Sequence, residues 1–258
     1  MYKSILLFVI ITLVSCKPSG EEKSAKTEEK IIEESSFIIE SSLENSNGMN
    51  GDINIMGYFV DPSIKGTLQQ DGSFRIELPG NFDQVTEKAF EAYNSSPVAD
   101  YNLKYTTALE SFPNADALSF TGKDARLAFA GKYYRFEVSS DNESAFIYPA
   151  SSENFVKYVV GTKDAIPETG FNYYYIYAKD PFTINGETIH DYLFEDGTEE
   201  IYSRTDSYRL DVKKGWNLIR YEIKELAESS LGTENIAKTS VMNLDINTKP
   251  ESWFISSK

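Results

Sequence analysis

Beyond about residue 50, apolar positions fall at every second residue, in short runs separated by Gly, Asn, Asp and Pro. A period of two is the spacing of a strand with one buried face and one wet face. Residues 66–79 are the clearest case. Phe74, Ile76 and Leu78 alternate with Arg75 and Glu77, and Asp71-Gly72 suits the positive φ angles of a tight turn. Pro79 lacks a ladder donor and ends the strand. Further strands are expected at 117–121, 125–130, 133–139 and 145–148. The short turns Lys123-Asp124 and Gly131-Lys132 imply antiparallel neighbours. One segment carries the helical period instead. Val85, Ala89 and Tyr93, with Phe90 beside them, form one stripe and predict a helix over 84–93. Asp83 is its expected cap, and Asn94-Ser95-Ser96-Pro97 its stop.

A second unit is expected from about residue 150. It opens with a strand at 155–160 and a loop at 163–170. In Phe171-Asn172-Tyr173-Tyr174-Tyr175-Ile176-Tyr177 both alternating faces are large and apolar, the mark of a central strand covered on both sides. Tyr208, Leu210 and Val212 alternate before Lys213-Lys214-Gly215, and Ile219, Tyr221 and Ile223 alternate after it. This predicts a hairpin whose second strand opens at Trp216. Leu226, Ala227 and Leu231 allow a short helix; Val241, Leu244 and Ile246 with Trp253, Phe254 and Ile255 add closing strands. The 17 Tyr and 16 Phe, with frequent Val, Ile and Thr, suit half-buried pleated surfaces. The expected fold is mostly β: two antiparallel sandwich-like modules, residues 51–149 and 150–258, with one short helix in the first. Residues 16–50 form an acidic, disordered tether. The patch Ile31-Ile32 and Phe37-Ile38-Ile39 is read as a sticky stretch within it, with a first strand as the alternative.

The beginning of the chain follows another pattern. Behind Lys3, an apolar run from Ile5 to Val14 ends in Leu13-Val14-Ser15-Cys16. A charged start, a short apolar middle and small residues at a cut are the layout of a signal peptide, here residues 1–15. The run is about half the length of a spanning helix. Leu13-Val14-Ser15-Cys16 resembles the lipobox of bacterial lipoproteins at all four positions. The resemblance implies acylation of Cys16, removal of the leader, and attachment to the envelope. Cys16 is the single cysteine, so the mature chain can form no internal disulfide. Ser19-Gly20-Glu21-Glu22 is similar to the acidic tag of surface lipoproteins of the Bacteroidetes. An outer-membrane location follows, with the cell surface and the periplasmic face both open. Residues 171–220, through Tyr175-Ile176-Tyr177-Ala178-Lys179-Asp180, Thr183-Ile184-Asn185-Gly186 and Leu210-Asp211-Val212-Lys213-Lys214-Gly215-Trp216-Asn217, resemble a recurring β module of predicted bacterial lipoproteins without assigned function.

Chemistry is sparse. His190 is the single histidine, which leaves no zinc ligand set and one imidazole for any triad. No glycine-rich phosphate cradle is present. A formal net charge of −15 disfavours nucleic acid. Glu195, Asp196 and Glu199 gather hard oxygen ligands in a turn, a candidate calcium site without the alternation of an EF-hand loop; an ordinary solvated acidic loop is the other reading. Tyr174, Trp216 and Trp253 are candidate platforms for sugar rings, with core packing as the alternative. The expected function is a tethered, non-enzymatic binding or accessory module for a glycan or an envelope protein. A carboxylate-pair glycan hydrolase and a purely structural assembly role are the alternatives.

Overall fold

The computed structural model describes residues 36–56, 64–97, 99, 102–130, 135–140, 144–162 and 165–257. The expected leader, Cys16, the Ser19-Gly20-Glu21-Glu22 run, Ile31-Ile32 and the expected turn at Gly131-Lys132 lie outside them. The described chain is mostly β. Strands numbered along the chain form two sheets. The first sheet holds β1 Phe37–Ser42, β2 Gly51–Met56, β3 Lys65–Leu68, β4 Ser73–Leu78, β8 Arg135–Ser139, β9 Ser144–Pro149 and β15 Trp253–Ser257. Its order is β1-β4-β3-β2-β8-β9-β15. The second holds β5 Thr106–Thr107, β6 Ser119–Thr121, β7 Arg126–Ala130, β10 Gly170–Ala178, β11 Phe182–Leu193, β12 Ile201–Val212, β13 Gly215–Glu228 and β14 Glu234–Leu244. Its order is β5-β7-β10-β13-β14-β12-β11-β6. The helices are α1 Phe82–Asn94, α2 Ala108–Ser111 and α3 Glu153–Val159, with a 3-10 turn at Pro113–Ala115. None of the helices among the described residues is long and apolar enough to cross a membrane.

Connectivity forces the second sheet to curl. β6 and β7 stand six places apart in its order, which is about 29 Å in a flat sheet. Five residue steps, from Thr121 to Arg126, reach at most about 18 Å. The sheet therefore bends until its two ends approach. Its inner face buries Ile176, Ala178, Phe182, Ile184, Leu210 and Val212 against Ala108, Phe112 and Ala115 from α2 and the 3-10 turn. Its outer face presents Tyr173, Tyr175, Tyr177 and Leu218 to the first sheet, where Ile53, Ile76, Val138, Ile147 and Trp253 complete the main core. The dual apolar faces expected of residues 171–177 are thus filled, one per core.

Several expectations change, each for a local reason. The strand expected at 155–160 is instead helix α3, Glu153–Val159, with Val160 as its C-cap, because Ser152 Oγ accepts from Phe155 N at 2.9 Å and Lys157 pairs with Glu153 at 2.8 Å. A short apolar run fits either element, and the cap decides it. α1 matches the expected helix, yet its N-cap is Asn81 without a side-chain bond. Asp83 lies in the first turn, accepting from Gln84 N at 2.9 Å. β12 and β13 do not pair as a hairpin; β14 runs between them, parallel to β12 and antiparallel to β13. Asn217 satisfies the turn internally, with its Nδ2 on Lys213 O at 2.7 Å and Gly215 O at 2.9 Å, so the two strands leave it apart. β6 and β7 likewise sit at opposite ends of one sheet. No helix forms at Leu226–Leu231 because β13 continues through Glu228 to a turn closed by Gly232, whose φ is +81°. Phe37-Ile38-Ile39 is strand, pairing Ile39 with Ile76, so this part of the expected tether belongs to the first sheet.

The boundary near residue 150 is also corrected. The described part of residues 33–258 is one compact unit. Strands from both halves share both sheets, and Trp253 pairs with Pro149.

Candidate functional site

Alternation along β12 places Arg204, Asp206 and Tyr208 on the same inner face as Leu210 and Val212. The apolar end of that face is packed solid. The polar end opens on a cavity of about 570 Å³, within the usual range of small-molecule sites, whose wall also takes in Tyr173 and Tyr175 from the other face of β10 and Phe136 and Ile147 from the first sheet. β10 contributes Asn172 and Tyr174, β13 Tyr221, β14 Thr239, α2 Ser111, and α3 Tyr158. α3 reaches the cavity because Phe155, fully buried, and Val156 anchor it on Ile223 and Ala150.

Asp206 is 2% exposed. Its Oδ1 accepts from Arg204 Nε at 3.0 Å and Nη2 at 2.9 Å, and from Thr239 Oγ1 at 2.5 Å. The parallel register of β12 and β14 sets Thr239 directly beside Asp206. Asp206 Oδ2 has no partner. Asn172 Oδ1 and Ser111 Oγ, in the same cavity wall, have none either. Buried polar atoms are normally paired, so three orphans around one cavity mark a place built to meet something else. Burial opposes the charge on Arg204, and its bonds to Asp206 outweigh that, holding its proton more firmly than usual.

Burial pushes the phenols of Tyr208 and Tyr221 up to about 12, against an ordinary value of 10.0. The folded state then holds these protons more tightly than the unfolded chain. Their contribution to stability is intact below pH 10 and falls as pH rises from 10 to 12. Alkaline titration followed by phenolate absorbance is expected to show a group of tyrosines ionising late. All 17 Tyr titrating together near pH 10 in folded protein would contradict this.

The three aromatic candidates separate. Tyr174 stands in the cavity wall. Trp253 is fully buried between Phe74, at 4.9 Å, and Phe136, at 6.4 Å. Trp216 packs on the main core and donates from Nε1 to Pro79 O at 2.9 Å. Both tryptophans are core, because their strands face the other sheet and not solvent. The acidic turn is structural. Asp196 accepts from Thr198 Oγ1 at 2.7 Å and from Ser229 Oγ, and Glu200 accepts from Ser230 N at 3.0 Å. These bonds tie the β11–β12 tip to the β13–β14 turn and hold the Asp196 carboxyl well below its usual range, Ser229 first among the causes. Glu195, Asp196 and Glu199 do not converge. Among the described residues no group of three or more His, Cys, Asp or Glu gathers as metal ligands. His190 is exposed on β11, opposite Arg204 in register and 6.5 Å from the Tyr192 ring.

The sequence does not mark Arg204, Asp206, Tyr208 and Tyr221 as site residues, apart from one signal: two charges share the phase of Tyr208, Leu210 and Val212. No family, no curated protein and no solved structure matches this chain.

Proposed function

We propose that the protein is a lipid-anchored envelope protein that binds a small ligand in the cavity of the curled sheet. The observation that carries the binding role is the cavity itself: lined by aromatic side chains, with an ion pair between buried Asp206 and half-buried Arg204 and unpartnered polar atoms in its wall. The lipid anchor rests on the resemblance at Leu13-Val14-Ser15-Cys16. Binding is favoured over hydrolysis because Asp206 is the single carboxylate lining the cavity among the described residues, and two-carboxylate glycoside cleavage needs a second. Protein purified from membranes of its native host is expected to carry acyl chains on Cys16 by intact-mass spectrometry, and to release a small molecule on denaturation or to bind one in a screen. A bare Cys16 removes the anchor. A cavity that takes no ligand removes the binding role.

One observation favours a second reading. The convex face of the β11–β12 ribbon leaves Ile189, Leu193 and Ile201 at least 59% exposed. Such apolar clusters mark protein contacts. An assembly partner that co-purifies through this face, with the cavity empty, would support it.

A further inference from the structure

The chemistry of the cavity wall narrows what fills it. Arg204 and Asp206 are the two charged side chains among the described residues that line it, and they neutralise one another at 2.9 Å. A cation entering there meets the Arg204 guanidinium; an anion meets the Asp206 carboxylate. Neither charge gains, and each must shed water. Asp206 Oδ2 and Asn172 Oδ1 are unpartnered acceptors, and Ser111 Oγ is an unpartnered hydroxyl. Satisfying them takes a ligand with several hydrogen-bonding groups spread around it, since β13 and β14 lie between the strands that carry Asn172 and Asp206. A hydrocarbon chain would leave all of them unpaired, which is costly. Phenol rings of Tyr158, Tyr174, Tyr208 and Tyr221 offer apolar faces beside polar tips. The volume, about 570 Å³, suits about one or two six-membered rings with their hydroxyls.

We propose that the cavity ligand is a neutral, hydroxyl-rich ring compound of the saccharide class, which donates to Asp206 Oδ2 and accepts from Arg204 while its ring faces lie on the tyrosines. This rests on the reading of the cavity as a ligand site and names its chemistry. The pair acts as a two-sided clamp: one residue accepts and its neighbour donates, which matches adjacent hydroxyls on a ring. Asp206 is the orienting group, because Thr239 and Arg204 occupy one of its oxygens and leave the other free.

The full-length protein, in detergent, is titrated calorimetrically with glucose, galactose, N-acetylglucosamine and maltose, then with glucosamine, glucuronate and decanol. At least one neutral sugar is expected to bind, at least tenfold more tightly than its charged counterpart. Asp206→Asn is expected to weaken that sugar at least tenfold. Ser111→Ala, a smaller change, is expected to weaken it a few-fold and keeps the test open should Asp206→Asn fail to fold by circular dichroism. Tighter binding of glucosamine or glucuronate, binding of decanol alone, or unchanged affinity in folded Asp206→Asn overturns the saccharide clamp and leaves the cavity a ligand site. No binding by any of these compounds, with nothing released from native protein, shows a water-filled cavity and overturns both readings.

Discussion

Trp253→Ala is expected to destabilise the protein by about 3–5 kcal/mol, the usual cost of emptying a buried tryptophan site. It is also expected to lower the stability of both sheets together. Trp253 opens the last described strand, four residues before the end of the described chain, yet its ring is fully buried between Phe74 and Phe136. Its backbone pairs with Pro149, and its carbonyl accepts from Glu44 N at 2.9 Å. One residue thus ties the first strands of the chain, the middle and the end. Domains of this size hold about 5–15 kcal/mol in all, so the loss is a large share of the total. The test is a denaturant titration. With Trp253 gone, Trp216 is the one remaining tryptophan, and its fluorescence reports β13 in the second sheet. Far-ultraviolet circular dichroism reports all strands. Coincident transitions, shifted to lower denaturant, are expected of one cooperative unit. A fluorescence transition unmoved from wild type would show that the second sheet stands alone, as two independent modules require. Trp253→Phe is expected to cost much less, since it keeps the ring and removes an indole Nε1 that has no partner.

That linkage was not legible from the amino acids alone. Period-two alternation marks a strand and its buried face, and it marked β4, β7, β10, β12 and β13 correctly. It carries no information about which strand lies alongside. Short connections suggest hairpins, but Asn217 lets β12 and β13 part, and the four-residue turn after β6 joins opposite ends of a curled sheet. The strand order is settled by pairings distant in the sequence, such as Ile39 with Ile76 or Asp206 with Thr239. The fate of each aromatic followed from the same missing step. Tyr174 and Tyr175 are neighbours in a run with two apolar faces, and only the curl of the sheet decides that Tyr174 packs against the inner core while Tyr175 packs in the main core, both bordering the cavity. Arg204 and Asp206 were partly legible. Their spacing continues the inner phase of Tyr208, Leu210 and Val212, and a charge pair on an apolar phase is a signal that composition averages out.

Asp206→Leu alone is expected to cost about 3–5 kcal/mol, because it leaves the Arg204 guanidinium partly buried beside no counter-charge. Arg204→Met alone is expected to be similarly harmful, leaving the Asp206 carboxylate with Thr239 as its one remaining donor. The double variant, Arg204→Met with Asp206→Leu, removes both charges and extends the apolar inner face formed by Leu210, Val212 and Val241. Much of the loss is expected to return, giving a coupling of about 2–3 kcal/mol in the double-mutant cycle. Urea unfolding of the four proteins measures it. Single variants that unfold like wild type would mean that water reaches the pair and that the cavity is not a closed site. The cycle also separates stability from recognition. A double variant that folds well but no longer holds a neutral sugar would show the pair to be dispensable for the fold. The unpaired oxygen on Asp206 then finds its explanation in what the cavity accepts: a buried charge pair that packing can replace is retained for the partner that only it can orient.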